Sequence, residues 1–138
     1  MRHEVTIISD DVRVEAGKKL TLVGIYDQAI LFPGLPSRLL KLSFFQRWLD
    51  TTGIEKVVLE IRGSALGEAT IRMEGRPTET IPKNEQERPV RIALTFGPID
   101  FVRSGDIEFR TFFNESLQPS HTHTLEVRVD ASLKPPAF

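Results

Sequence analysis

The chain has 138 residues, 40% hydrophobic and 27% charged, with 18 Lys and Arg against 19 Asp and Glu. That is one domain's length, enough to remove roughly 68% of the unfolded surface from water. The near-neutral, interspersed charge excludes the basic stripe that nucleic-acid binding needs, and the lack of cysteine excludes disulfides, thiolate zinc sites and cysteine nucleophiles.

No run approaches the ~20 apolar residues of a membrane span. The opening MRHEVTIISDDVR lacks the apolar stretch of a signal peptide. The expectation is a soluble cytoplasmic protein, a single domain over residues 1–138, with neither nucleic acid nor membrane as partner.

Taken in chain order, the dominant pattern is alternation, which sends successive side chains to opposite faces of a strand. VTIIS places Val5 and Ile7 on one face, and KKLTLVGIY turns Leu20 and Leu22 inward. FPGLPSR, with Pro33 and Pro36, reads as a rigid extended crossing. The segment from Ser37 to Gly53 suits a helix by its leucine content, with Ser37 as cap and Gly53 as stop. As a strand it sets Leu40, Leu42, Phe44 and Trp48 on one face, and the strand-rich surroundings favour that reading.

KVVLEIRG groups Val57, Leu59 and Ile61 against Glu60 and Arg62, and EATIRME groups Ala69, Ile71 and Met73. Gly75 to Pro89 holds three prolines and mixed charge, a long surface loop of the kind that is uncommon unless functional or mobile. PVRIALTF aligns Val90, Ile92, Leu94 and Phe96. GDIEFRTFFN aligns Ile107, Phe109 and Phe113, and TLEVRVD aligns Leu125, Val127 and Val129. A tail, 131–138, follows, stiffened by Pro135-Pro136 so that it presents Phe138 to a neighbour. Half-polar strands this frequent predict an all-β fold, an antiparallel β-sandwich of about eight strands, immunoglobulin-like or C2-like.

Asp10-Asp11, Arg13, Gly17-Lys18, Leu20, Leu22, Gly24-Ile25-Tyr26 and Phe32-Pro33-Gly34-Leu35-Pro36 together resemble the opening of a family of small uncharacterised bacterial all-β proteins. The resemblance covers Asp10–Leu42, about a quarter of the chain. It implies a small β-sandwich of unknown function and carries over no catalytic residue.

Three histidines stand out. His121 and His123 continue the parity of Leu125, Val127 and Val129, and His3 has the same relation to Val5 and Ile7. All three therefore point towards one end of the core, where they would converge if the first and last strands lay side by side. Three imidazoles make a competent zinc or copper site. Structural or solvated histidines at strand ends are the plainer reading, so no metal site is expected, and a ligand- or metal-binding domain built on His3, His121 and His123 is the alternative function.

The aspartates Asp10, Asp11, Asp27, Asp50, Asp100 and Asp106 fall near strand ends but lack the D-x-D-x-D spacing of a calcium loop. Asp10-Asp11 reads as turn-forming, with Arg13 offsetting part of its charge. Glu60, Glu68 and Glu74 fall at solvated positions. There is no nucleophile elbow, phosphate loop, H-E-x-x-H or dinucleotide fingerprint, so no catalytic residue and no cofactor is expected.

The stronger signal is apolar residues on the polar face. With Phe44 inward, Phe45 points out; with Phe113 inward, Phe112 points out; Val58 opposes Val57 and Leu59. Outward aromatics imply a cover, which is the loop, the tail or another protein. The expected function is non-enzymatic, through a protein partner or self-association, with Phe45, Phe112 and Trp48 as contact residues.

Overall fold

A computed structural model describes residues 1–51, 53–76 and 90–133. Extended chain dominates them. In order come β1 (Arg2–Val14), β2 (Leu20–Tyr26), β3 (Ala29–Phe32), β4 (Ser37–Leu39), β5 (Leu42–Leu49) and β6 (Val57–Arg62), then β7 (Ile71–Gly75), β8 (Val90–Phe96), β9 (Ile99–Phe101), β10 (Gly105–Phe113) and β11 (His121–Val129). The fold is all-β, and the described residues hold eleven strands where the sequence suggested about eight. The extra strands β3, β4 and β9 are only three or four residues long, too short for alternation to reveal. Among the described residues no helix is long and apolar enough to cross a membrane.

The strands form three sheets. One runs β2-β1-β5-β8, a second β3-β11-β10-β6-β7, and β4 pairs with β9 in a small third. Pairing is antiparallel except at β3, which lies parallel to β11 with Ala29 opposite Glu126. The expectation of purely antiparallel sheets fails there. The chain leaves β2 in one sheet and enters β3 in the other across only Asp27 and Gln28, and it runs alongside the last strand.

A single buried cluster draws on both large sheets: Ile8, Leu42 and Phe44 from the first, and Leu59, Ile61, Ile107, Phe109, Leu125 and Val127 from the second. Phe44 and Phe109 stack across the gap with ring centroids 6.1 Å apart. Ile30 and Phe32 of β3, Ala65 and Leu66 of a 3₁₀ turn, and Ile99 and Phe101 of β9 complete it. Each fully buried side chain of this size contributes roughly 1.5–3 kcal/mol.

The segment from Ser37 onward is strand, interrupted between β4 and β5. Leu42, Phe44 and Trp48 share the inner face as expected, whereas Leu40, in the break, is 78% exposed. At the start of the chain the face reading inverts. His3 pairs with Trp48, but Val5 pairs with Arg47 and Ile7 with Phe45, because a bulge adds a residue to β1 between His3 and Val5. His3 and Thr6 therefore face inward, Val5 and Ile7 face outward, and Ile8 fills the core. Ala69 lies outside β7, and Val129 is 48% exposed at the end of β11.

The acidic pair sits inside β1, not in a turn. Asp10 lies opposite Gly24, a position implied by the register Ser9↔Ile25 and Asp11↔Val23. Its carboxylate accepts a hydrogen bond from the Tyr26 hydroxyl. Burial, reinforced by that bond and by the Asp10 charge, raises the Tyr26 phenol well above its ordinary value. Asp11 bridges Arg13 at 2.9 Å and Lys41 at 3.1 Å. Gly24 has φ of 68°, and a Cβ there would drive into the Asp10 carboxylate. Gly24→Ala is expected to cost about 1–2 kcal/mol from the left-handed backbone, plus the clash. In an Asp10→Ala background only the backbone part should remain, as urea unfolding of the four proteins will show.

Of the long loop, only Gly75, which ends β7, and Arg76 belong to the described residues; 77–89 lie outside them. The last five positions of the tail, Phe138 included, do so as well.

Candidate functional site

The histidines meet at one end of the inter-sheet core. His3 reaches inward because of the β1 bulge, and His121 and His123 occupy the inward positions of β11 next to Thr111 and Phe109 of β10. The His3 and His121 rings stack with centroids 3.6 Å apart and planes 9° from parallel. The Trp48 ring stands edge-on to both, and to Phe113 at 4.7 Å.

Below the stack lies a buried polar chain whose directions follow from donor chemistry. The Trp48 indole Nε1–H only donates, and it donates to Gln46 Oε1 at 2.7 Å. The same oxygen accepts from the Thr111 hydroxyl at 2.9 Å. Gln46 Nε2 then donates to Thr6 Oγ1 at 2.9 Å. This leaves the Thr6 hydrogen free for His3 Nε2, 2.6 Å away. Gln46 and Thr111 are both 0% exposed.

All three imidazoles titrate below their ordinary range. Burial is the main cause in each. His121 is lowered further by repulsion from His3 and His123, and His123 by repulsion from His3.

The structure thus brings His3 and His121 together, though not as ligands. An imidazole lone pair lies in its ring plane, so two rings only 9° from parallel cannot both aim at one ion. Thr6 also occupies the His3 Nε2 position. Among the described residues no three His, Cys, Asp or Glu side chains are placed to hold a metal. Asp100 is engaged by a two-point ion pair with Arg38, at 2.7 and 3.2 Å.

The three aromatic residues expected to make contacts separate into three situations. Trp48 is 2% exposed and belongs to the core, contrary to its reading as a contact anchor: β5 carries it on the inner face and its indole is hydrogen-bonded there. Phe45 does face away from the central core, yet it is only 8% exposed. It shares a shallow depression with Val5, Leu20, Leu22, Arg47 and Arg91. Leu20 and Leu22 thus lie outside the central cluster, and cover for Phe45 comes from within the chain.

Phe112 stands on the outer face of the second sheet, partly exposed and opposite Val58. With Leu117, 92% exposed, they border a depression of about 350 Å³. Ion pairs rim it. Arg110 meets Glu60 at 2.9 Å and holds its guanidinium 5.2 Å from the Phe112 ring centroid. Arg72 meets Glu74 at 2.9 Å, and Lys56 meets Glu115 at 3.5 Å.

Gln46 has a signal in the sequence, being a polar residue at core parity between Phe44 and Trp48. Leu117 had none, being a lone apolar residue in a turn.

Fold and surfaces together define an all-β domain of several sheets, with a buried polar cluster at one end and an apolar, ion-rimmed hollow on one outer face. The chain belongs to a family of unknown function, DUF6941, whose family model matches residues 4–129. That span extends well beyond Asp10–Leu42 and agrees with the domain of unknown function that the shorter stretch resembled. No curated protein and no solved structure matches the chain.

Proposed function

We propose that this chain is a non-enzymatic β-sandwich that works through protein contacts, as a homo-oligomer or as an accessory subunit of an assembly. The observation that carries the reading is the hollow around Phe112. An aromatic ring, Val58 and Leu117 lie together where a sheet's outer face is ordinarily polar, and paired charges surround them. An apolar centre with a polar rim is the anatomy of a protein interface. Cover from within the described residues reaches Phe45 but leaves Leu117 open to solvent.

The histidine end supports the ligand-binding alternative less well, because His3 Nε2 is engaged by Thr6 and the His3 ring lies nearly parallel to that of His121, so the two cannot converge on one ligand atom. Site-specific photocrosslinking in the native cell tests the contact reading. A photoreactive phenylalanine at position 112 is expected to yield one discrete protein adduct, absent when the probe replaces the exposed Thr122 on the same sheet face. No adduct at 112 beyond that at 122 would remove Phe112 as a contact residue.

A further inference from the structure

Four strands terminate the two large sheets: β2 and β8 in the first, β3 and β7 in the second. A terminal strand offers unpaired N–H and C=O groups that recruit another strand, unless charge, proline or brevity blunts it. β8 carries Arg91, β7 carries Arg72 and Glu74, and β3 has only four residues. β2, LTLVGIY, has seven residues and neither a charge nor a proline. Among the described residues nothing pairs with its side away from β1. Val23 and Ile25 stand at alternate positions on it, 45% and 57% exposed. Left-handed Gly24 lies between them and interrupts the ladder, yet β2 keeps the same register against β1 on both sides of it.

We propose that β2 is the docking edge for a second copy of this chain, which adds its own β2 in antiparallel orientation. The inference rests on the reading that the protein works through protein contacts, and it names the partner and the surface. A strand without charge meets its own copy with no like charges opposite. Antiparallel pairing centred on Val23 sets that residue beside its twofold mate, and Ile25 beside Thr21 of the other copy. One strand back, on β1, Asp11 lies opposite Val23 and Arg13 opposite Thr21. The apolar stripe made by two β2 strands is therefore bordered on both sides by a charged row, Asp11 being held by Arg13 and Lys41.

This is an isologous contact closed by a twofold axis, which joins two four-stranded sheets into one of eight. Main-chain hydrogen bonds supply the affinity and the alternate side chains the selectivity. The contact is small, so the dimer forms as concentration rises.

Sedimentation equilibrium of the full chain tests this. Wild type is expected to rise from the mass of one chain to that of two, as is Leu31→Lys, a control at a 44% exposed position of the opposite sheet's edge. Val23→Lys with Ile25→Lys stays at one chain, with wild-type melting temperature in dilute solution. Ile25→Lys alone serves if the pair perturbs folding. Hydrogen exchange of the β2 amides should slow with concentration in wild type only. A wild type that remains one chain throughout overturns the assignment, as does a lysine variant that dimerises normally. A dimer lost in Phe112→Lys but kept in the β2 variant overturns it too, while leaving the protein-contact reading in place.

Discussion

Gln46→Met is expected to remove about 3 kcal/mol of stability, since each buried polar group left without a partner costs roughly 1–3 kcal/mol. The substitution keeps the side-chain volume close to that of glutamine. It strands the Trp48 indole N–H and the Thr111 hydroxyl, both of which donate to Gln46 Oε1. The urea midpoint should fall with an unchanged m value, which separates lost stability from a change in compactness. Adding Thr111→Val takes away one stranded donor and should return about 1 kcal/mol. A single-variant loss under about 1 kcal/mol would show that the chain from Trp48 to His3 is not what holds this end together.

Acidification from about pH 7.5 to about pH 5 is the second large effect, and it acts on the same end of the molecule. His3, His121 and His123 all titrate below 6.5 in the folded chain, burial being the first cause. The unfolded chain thus binds more protons as pH drops. Stability is complete above about pH 6.5 and is lost as pH falls through the depressed folded values. Two charged rings in face-to-face contact repel by roughly 1–4 kcal/mol between full solvent screening and that near a protein surface. These rings are partly buried with water still reaching one side, so the expected loss is about 1–4 kcal/mol or several degrees in melting temperature. His121→Phe preserves a stacked ring without a titrating nitrogen, and its melting profile over this range should be flatter. The carboxylates lowered by hydrogen bonds from cationic or hydroxyl partners, Asp11, Asp100, Glu126 and Asp130, act at more acidic pH and do not confuse the comparison. An unchanged slope in His121→Phe would assign the acid sensitivity elsewhere.

The alternation in the sequence led correctly to the inner faces of β6, β10 and most of β11, because each is a continuous strand with one dry side. It misled at the start of β1. His3, Val5 and Ile7 share parity on paper, and a single extra residue in the bulge divides them between opposite faces. Nothing local marks that residue. β3 was missed since four residues carry too little pattern, although Ile30 and Phe32 are core. Phe45 and Phe112 looked equivalent in sequence, each beside an inward phenylalanine. What separates them is the arrival of Leu20 and Leu22 beside Phe45, a tertiary fact. The acidic pair, Gly24 and Tyr26 were legible as a recurring string but not as an arrangement. Asp10 and Gly24 prove to be opposite one another across a hairpin, which is why these residue types occur together.

The parallel pairing of β3 with β11 bears on how the protein is made. β3 is synthesised well before β11, its hydrogen-bonding neighbour, and most of the described residues lie between the two. Until β11 is released, Ile30 and Phe32 have no sheet to join. A nascent chain therefore carries Ile30 and Phe32 unpaired until β11 follows, and distant pairings of this kind assemble slowly.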